Sequence, residues 1–296
     1  MNDKRPYGSP TAFRTALTDR LRELAKTSRW ELPQLQRQVA YDRLLQRLYL
    51  VDDGWIVKGA TALVARDLGV RASIDIDIYR AKAGQAAEAE LREAAARDID
   101  WFHFEIGATQ PLADGSPGVR LPIAAYVGPA VWVEFHVDLV GADIVMTGTP
   151  DDVPPLAPIT MPDFEQRGYR AYPLVDHIAD KITATLQRYG AGGRPSTRYR
   201  DLVDLVAIVS ATPIAAHAQT TALASEAKRR GIALPDRFDV PDRTLWEAGY
   251  AAEAGRSLLS HSKTLAEAMS VVSPFVDPLL NGTATGTWNP ASGTWL

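Results

Sequence analysis

Two neighbouring stretches decide the fold: Trp55-Ile56-Val57-Lys58-Gly59-Ala60-Thr61-Ala62-Leu63 and Arg71-Ala72-Ser73-Ile74-Asp75-Ile76-Asp77-Ile78. In the first, a short apolar strand runs into the turn Lys58-Gly59-Ala60, and a short helix follows from Thr61 to Leu68, stopped by Gly69. A glycine turn opening a helix offers backbone N–H groups and a positive dipole end to phosphate oxygens. In the second, the period changes to two. Ile74, Ile76 and Ile78 share one face of a strand, and Ser73, Asp75 and Asp77 share the other. Two carboxylates pointing the same way repel unless a hard divalent cation lies between them. Such a pair suits two magnesium ions holding a nucleoside triphosphate. A D-x-D alone also describes a solvated strand face; the glycine turn beside it favours phosphate chemistry. Thr61 and Ser73 add hydroxyl donors.

Towards the N-terminus, Phe13, Leu17, Leu21 and Leu24, then Leu35, Val39, Leu44, Leu45 and Leu48, recur every three to four residues, which predicts two helices joined at Pro33. Towards the C-terminus, 84–97 reads as a helix. Residues 101–107 and 119–127 read as strands around the turn Asp114-Gly115-Ser116-Pro117-Gly118. A further strand, Val131 to Val140, places Trp132, Glu134, His136 and Asp138 on one face. A two-metal site usually needs a third carboxylate, and this face offers two. Asp138 is preferred to Glu134 because it lies near the strand end, between Val137 and Leu139, which look buried. Residues 1–150 thus form an α+β core around a small mixed sheet.

Residues 151–296 form a second, mainly helical lobe. The proline-rich stretch 148–173 is expected to cross the surface as an irregular connection. Helices are expected at 174–189, 199–210, about 215–230 and about 242–272, with Gly190 to Ser196 linking the first two. The repeated Gly-Thr-Trp at 286–288 and 293–295 is expected to dock the end of the chain.

Composition narrows the chemistry. The 296 residues are 46 % hydrophobic and carry a formal charge of −4, which argues against bulk electrostatic coating of nucleic acid but leaves room for a local basic groove. There is no cysteine, which excludes thiolate zinc sites, and the five histidines are scattered with no H-x-x-x-H pair, which argues against a histidine zinc site, so a catalytic metal is expected on oxygen. No apolar run is long enough to span a bilayer, and MNDKRPYGSP does not read as a secretory signal, so the expected address is the cytoplasm.

Two features of the helical half carry charge. Lys181 flanks the apolar stripe Ile178, Ile182 and Leu186, and lysine supplies only seven of the 32 basic residues. Asp201 and Asp204 interrupt a segment apolar around most of its circumference, so they need a cationic partner, with Lys181 or an arginine as candidates. Between Gln187 and Arg200 there is no acid. Arg188, Arg194, Arg198 and Arg200 stand there with Tyr189, Tyr199 and Gly190-Ala191-Gly192-Gly193, a set able to grip phosphates and stack bases.

Four elements therefore stand in order: K-G-A-T-A-L (58–63), R-A-S-I-D-I-D-I (71–78), D-K-I-T-A (180–184) and R-Y-R-D-L-V-D-L (198–205). Together they resemble the AbiEii/AbiGii family of nucleotidyltransferase toxins, which includes the MenT group that modifies transfer RNA. The resemblance implies a DNA-polymerase-β-like nucleotidyltransferase core followed by a helical C-terminal lobe, with the active site in the cleft between them. It implies that Asp75 and Asp77 bind Mg2+, with Asp138 as third carboxylate. Lys58, Gly59, Thr61 and Ser73 would lie beside the triphosphate, Lys181 would hold phosphates, and Asp204 would orient or pair with Lys181. Ala60 departs from the common G-G-T or G-S signature. The implied reaction transfers NMP from an NTP to the 3′ end of tRNA, releases pyrophosphate and blocks translation. Arg188, Arg194, Arg198 and Arg200 would bind the RNA, and a cognate antitoxin would neutralise the enzyme, in some relatives by phosphorylating the serine matching Ser73. The same metal site would also serve a small-molecule or protein acceptor, and a catalytically inactive nucleotide- or RNA-binding module is the remaining class.

Overall fold

The computed structural model describes residues 6–82, 84–112, 117–141, 143–162, 164–190 and 192–296. The expected turn residues Asp114, Gly115 and Ser116, and Ala191 of the glycine loop, lie outside the described residues. The chain divides into two compact units. The first takes in Met1–Arg66, Ala72–Ile144 and Asp152–Ala171, and the second Asp67–Arg71, Val145–Asp151 and Tyr172–Leu296.

In the first unit the order is α1 (Pro10–Thr27), α2 (Leu32–Tyr49), β1 (Trp55–Lys58), α3 (Gly59–Ala65), β2 (Asp75–Arg80), α4 (Gly84–Ala95), β3 (Phe102–Ile106), β4 (Gln110–Pro111), β5 (Val119–Val127), β6 (Ala130–Val140), β7 (Asp151–Val153) and β8 (Tyr169–Ala171). Among the described residues the strands form one mixed sheet in the order β3-β5-β6-β2-β1-β8-β7, with β4 beside β5. The mixed α+β class expected from the sequence is the observed one. Strand β2 is central, parallel to β6 and antiparallel to β1. Its Ile76 and Ile78 are fully buried, and Asp75 and Asp77 alternate with them on the other face. Helices α2 and α4 pack on β6.

Helix α1 begins as Pro at the first turn and a serine cap prescribe: the Ser9 side chain accepts from the Ala12 N–H, and Phe13, Leu17 and Leu21 form the buried stripe. Helix α2 is buried around most of its circumference, polar residues included. Arg43 and Arg47 both bind Asp100, and Arg47 also donates to the carbonyls of Arg97, Arg43 and Phe102. These buried charges are held because nearly every donor has an acceptor.

The proline-rich stretch does more than connect. It contributes β7 and β8, and β8 lies parallel to β1. What draws it onto the sheet is the buried Asp42 of α2, whose carboxylate accepts from the N–H groups of Leu156 and Ala157, from Gln166 Nε2 and from the Tyr169 hydroxyl. Burial pushes the Asp42 carboxyl up to about 6, against the pull of these donors. A segment expected with the second half thus packs with the first unit.

Strand β6 also departs from expectation. Its register against β5 shifts between Ala125 and Tyr126, a β-bulge, so Trp132 leaves the face of Glu134, His136 and Asp138 and is buried against Phe102, with its indole N–H on the Gln36 carbonyl.

The second unit contains α5 (Leu174–Leu186), β9 (Arg188–Tyr189), β10 (Arg194–Pro195), α6 (Tyr199–Ala211), β11 (Ile214–Ala215), α7 (Ala216–Arg230), α8 (Arg243–Gly255), α9 (Leu265–Leu280), β12 (Thr287–Asn289) and β13 (Thr294–Trp295). Helix α6 is the hub, packed by α5, α8 and α9, and its Leu202, Val203, Leu205, Val206, Ile208 and Val209 are all buried. The expected single helix at 242–272 is two. Helix α8 ends at Gly255, and α9 starts afresh on the capping box of Thr264 and Glu267, then runs on through Pro274 and Pro278. The tail docks as expected: Trp288 is 1 % exposed, its N–H donates to the Val209 carbonyl, and Trp288 and Trp295 both pack on Phe275.

Candidate active site

The acidic face of β2 is built by register. In the parallel pair β2/β6, Asp75 lies beside His136 and Asp77 beside Asp138, while in the antiparallel pair β1/β2 Lys58 lies opposite Asp77. Asp75, Asp77 and Asp138 therefore share one sheet face. Gly59 follows directly, at φ +61, where a Cβ would stand 1.7 Å from Asp77 Oδ2. The glycine of the turn is thus required by the Asp77 carboxylate that lies against it, and by its left-handed backbone. Ala60, at the departing position, is buried.

Gly59→Ala is expected to add about 1–3 kcal/mol of backbone strain and to force Asp77 out of place. Activity should fall at least about tenfold and the melting temperature by several degrees, read by thermal unfolding and by nucleotide transfer. Full activity would show that the Asp77 position does not matter.

The two expected hydroxyl donors converge on one acceptor. Ser73 Oγ donates to the Asp75 carbonyl at 2.6 Å and Thr61 Oγ1 to the same oxygen at 3.3 Å. Both pin the first residue of β2, so the start of the acidic face is fixed by side chains as well as by the sheet. The Tyr41 hydroxyl approaches the Ser73 carbonyl at 3.5 Å; its burial, with Asp75 and Asp77 adding to it and Arg37 opposing, pushes the phenol far up.

Sequence reasoning missed Arg120. This β5 residue lies directly across from Asp138 and holds it with two bonds, Nε to Oδ1 and Nη2 to Oδ2, each 2.7 Å. Its Nη2 is also 3.6 Å from Asp75 Oδ2, and His136 Nδ1 is 3.1 Å from Asp75 Oδ1. The bonds to Asp138 hold the guanidinium firmly in its charged form. Glu134, the second candidate, is exposed and pairs across from Ala124.

The donor chemistry of Asp75 and Asp77 fits a hard divalent cation: carboxylate oxygens on one face, in a chain with no thiolate. Asp138 does not fit as readily, since each of its oxygens already accepts a bond from the Arg120 guanidinium, whose charge opposes a cation there. Among the described residues no group of three or more histidine, aspartate or glutamate side chains is arranged to hold a metal ion. The expected three-carboxylate set is therefore on one face but not assembled as ligands.

In the second unit, Lys181 of α5 reaches Asp201 Oδ1 at 3.0 Å and Asp204 Oδ2 at 2.7 Å, both on α6. Spacing of three on α6 puts the two carboxylates on one side. The lysine side chain is 5 % exposed. Burial alone would lower its pKa; the two carboxylates overcome that and hold it above the ordinary lysine value. The four arginines are all exposed. Arg188 and Arg194 lie on the β9/β10 hairpin, Arg188 donating to the Gly193 and Pro241 carbonyls, while Arg198 pairs with Asp201 and Arg200 with Glu253. The link expected to be a loop is this hairpin.

Among the described residues no helix is long and apolar enough to cross a membrane. The family model described as nucleotidyl transferase AbiEii toxin, type IV TA system, matches residues 43–271. Among solved structures the chain is similar to MenT4, a nucleotidyltransferase toxin from Mycobacterium tuberculosis, at 19 % identity and a TM-score of 0.48, covering 70 % of this chain and 68 % of that one. It is also similar to JHP933 from Helicobacter pylori, at 16 % identity and a TM-score of 0.47, covering 83 % and 94 %. No curated protein matches the sequence.

Proposed function

Because the chain belongs to the AbiEii family of nucleotidyltransferase toxins of type IV toxin–antitoxin systems, for which a cognate antitoxin is implied, we propose that it transfers NMP from an NTP to the 3′ end of tRNA and so blocks translation. The observation that carries the reading is the acidic face of β2, with Gly59 seated on Asp77 and Lys58 across from it. Asp75 and Asp77 would hold Mg2+, which when bound neutralises triphosphate charge and makes the attacking hydroxyl more acidic. The turn 59–61 and Lys58 take the phosphates; Lys181, which the family resemblance makes a further phosphate cation, belongs to the second unit and is oriented there by Asp204. The RNA 3′-oxygen attacks the α-phosphorus in line, its proton is lost to solvent, and the bond from the α-phosphorus to the bridging oxygen breaks to release pyrophosphate.

Charge favours an RNA acceptor. Arg188, Arg194, Arg198 and Arg200 are exposed on a chain whose total charge is −4, so RNA contact would be local and salt-sensitive.

The test is incubation of the protein with total tRNA, Mg2+ and each of four α-labelled NTPs. Label should enter RNA with one nucleotide preferred. Replacing the four arginines by glutamine should cut RNA labelling at least about tenfold and flatten its salt dependence. Pyrophosphate release without label in RNA would overturn the tRNA assignment in favour of a small-molecule or protein acceptor. No turnover with any nucleotide would leave an inactive binding module.

A further inference from the structure

The Arg120–Asp138 pair is not a surface ion pair in the usual sense. Its side chains are 26 % and 15 % exposed, its two bonds are equal at 2.7 Å, and its partners are direct cross-strand neighbours, so the backbone register itself sets the geometry. A guanidinium does not lose its proton in proteins, so the positive charge beside Asp75 is permanent. A divalent cation bound by Asp138 would need a carboxylate oxygen at about 2.0–2.2 Å, on the lone pairs left beside the two that accept from Arg120 and therefore next to a fixed positive charge. With Lys58 opposite Asp77, three carboxylates, one guanidinium and one ammonium carry a formal −1, so a single divalent ion already more than neutralises the face.

From this geometry we infer that Asp138 is a positioning residue rather than a metal ligand: it fixes Arg120 as a built-in cation beside Asp75 and leaves a resident metal site of two carboxylates, Asp75 and Asp77. The inference rests on the metal-dependent reading above. It assigns Arg120 part of the charge neutralisation that a metal on a third carboxylate supplies elsewhere, and it makes the acidic face ready for a triphosphate with a single resident ion.

The test counts Mn2+ bound to the full-length, nucleotide-free protein, using the electron paramagnetic resonance signal of free Mn2+. Removing the pair together, as Arg120→Gln with Asp138→Asn, conserves net charge. Wild type should bind one Mn2+, the double variant should bind one with affinity within about threefold of wild type, and Asp75→Asn should bind at least about tenfold more weakly. Arg120→Gln alone, which frees Asp138 and removes a repelling charge, should bind Mn2+ at least about fivefold more tightly. Where the amide pair melts early, Arg120→Met with Asp138→Leu replaces the ion pair by apolar side chains of similar size. A double variant that loses Mn2+ as severely as Asp75→Asn overturns the inference while leaving the metal site standing. Wild-type protein that binds no Mn2+ overturns both.

Discussion

Asp75→Asn is expected to lower nucleotide transfer by at least about a thousandfold, or about 4 kcal/mol of transition-state stabilisation, while leaving the fold intact. The carboxylate stands at the start of β2 beside His136 and within 3.6 Å of Arg120, on the same face as Asp77 and Asp138. Converting it to an amide keeps the shape and the backbone bonds from Ser73 and Thr61, which go to the Asp75 carbonyl rather than to its side chain. It also relieves repulsion among three acids on one face, so the melting temperature should stay level or rise. Transfer of α-label at saturating nucleotide, alongside a thermal melt, reads both effects. Retention of more than about a tenth of the activity would remove the D-x-D strand from the chemistry. Loss of activity with an equal loss of folded protein would mean that the carboxylate is structural.

From Asp75 onward that strand is the most legible part of the chain, because strict alternation puts Ile76 and Ile78 on the buried face and Asp75 and Asp77 on the other; Ile74, expected on the face of Ile76 and Ile78, precedes β2 and is 61 % exposed. The face of β6 was legible only in part. Counting back from the Gly128-Pro129 turn with no irregularity pairs Val127 with Ala130 and would place Arg120 opposite Val137, on the wrong side of the sheet. The bulge near Val131 moves every later pair by one and brings Arg120 onto Asp138. A single extra residue thus hides the guanidinium from any reading based on period and also takes Trp132 off the acidic face. The strands at 151–153 and 169–171 were hidden differently. They are short, and they are held by the side chain of Asp42, more than a hundred residues earlier, so local composition shows only prolines. In the helical unit, the need of Asp201 and Asp204 for a cation was visible because charge on a largely apolar helix demands a partner. Which cation answers it was decided by packing of α5 on α6.

The consequence of that packing is a second large expectation. Lys181→Met is expected to destabilise the folded protein by about 3–5 kcal/mol, because it removes the ammonium that Asp201 and Asp204 share and leaves Asp201 only the Arg198 guanidinium at 3.5 Å. The side chains of Asp201 and Asp204 are 18 % and 4 % exposed, and Asp204 Oδ1 has no hydrogen-bond partner among the described residues, so little else stabilises that charge. Urea denaturation should show a lower midpoint with an unchanged slope. Adding Asp204→Leu removes the more deeply buried charge and should restore part of the loss near pH 7, while nucleotide transfer stays low in both variants. A Lys181→Met protein as stable as wild type near pH 7 would mean that water or another cation reaches the carboxylates. Restored folding without restored transfer would separate the structural work of Lys181 from the phosphate role proposed for it, since only the first is replaced by removing the charges it neutralises.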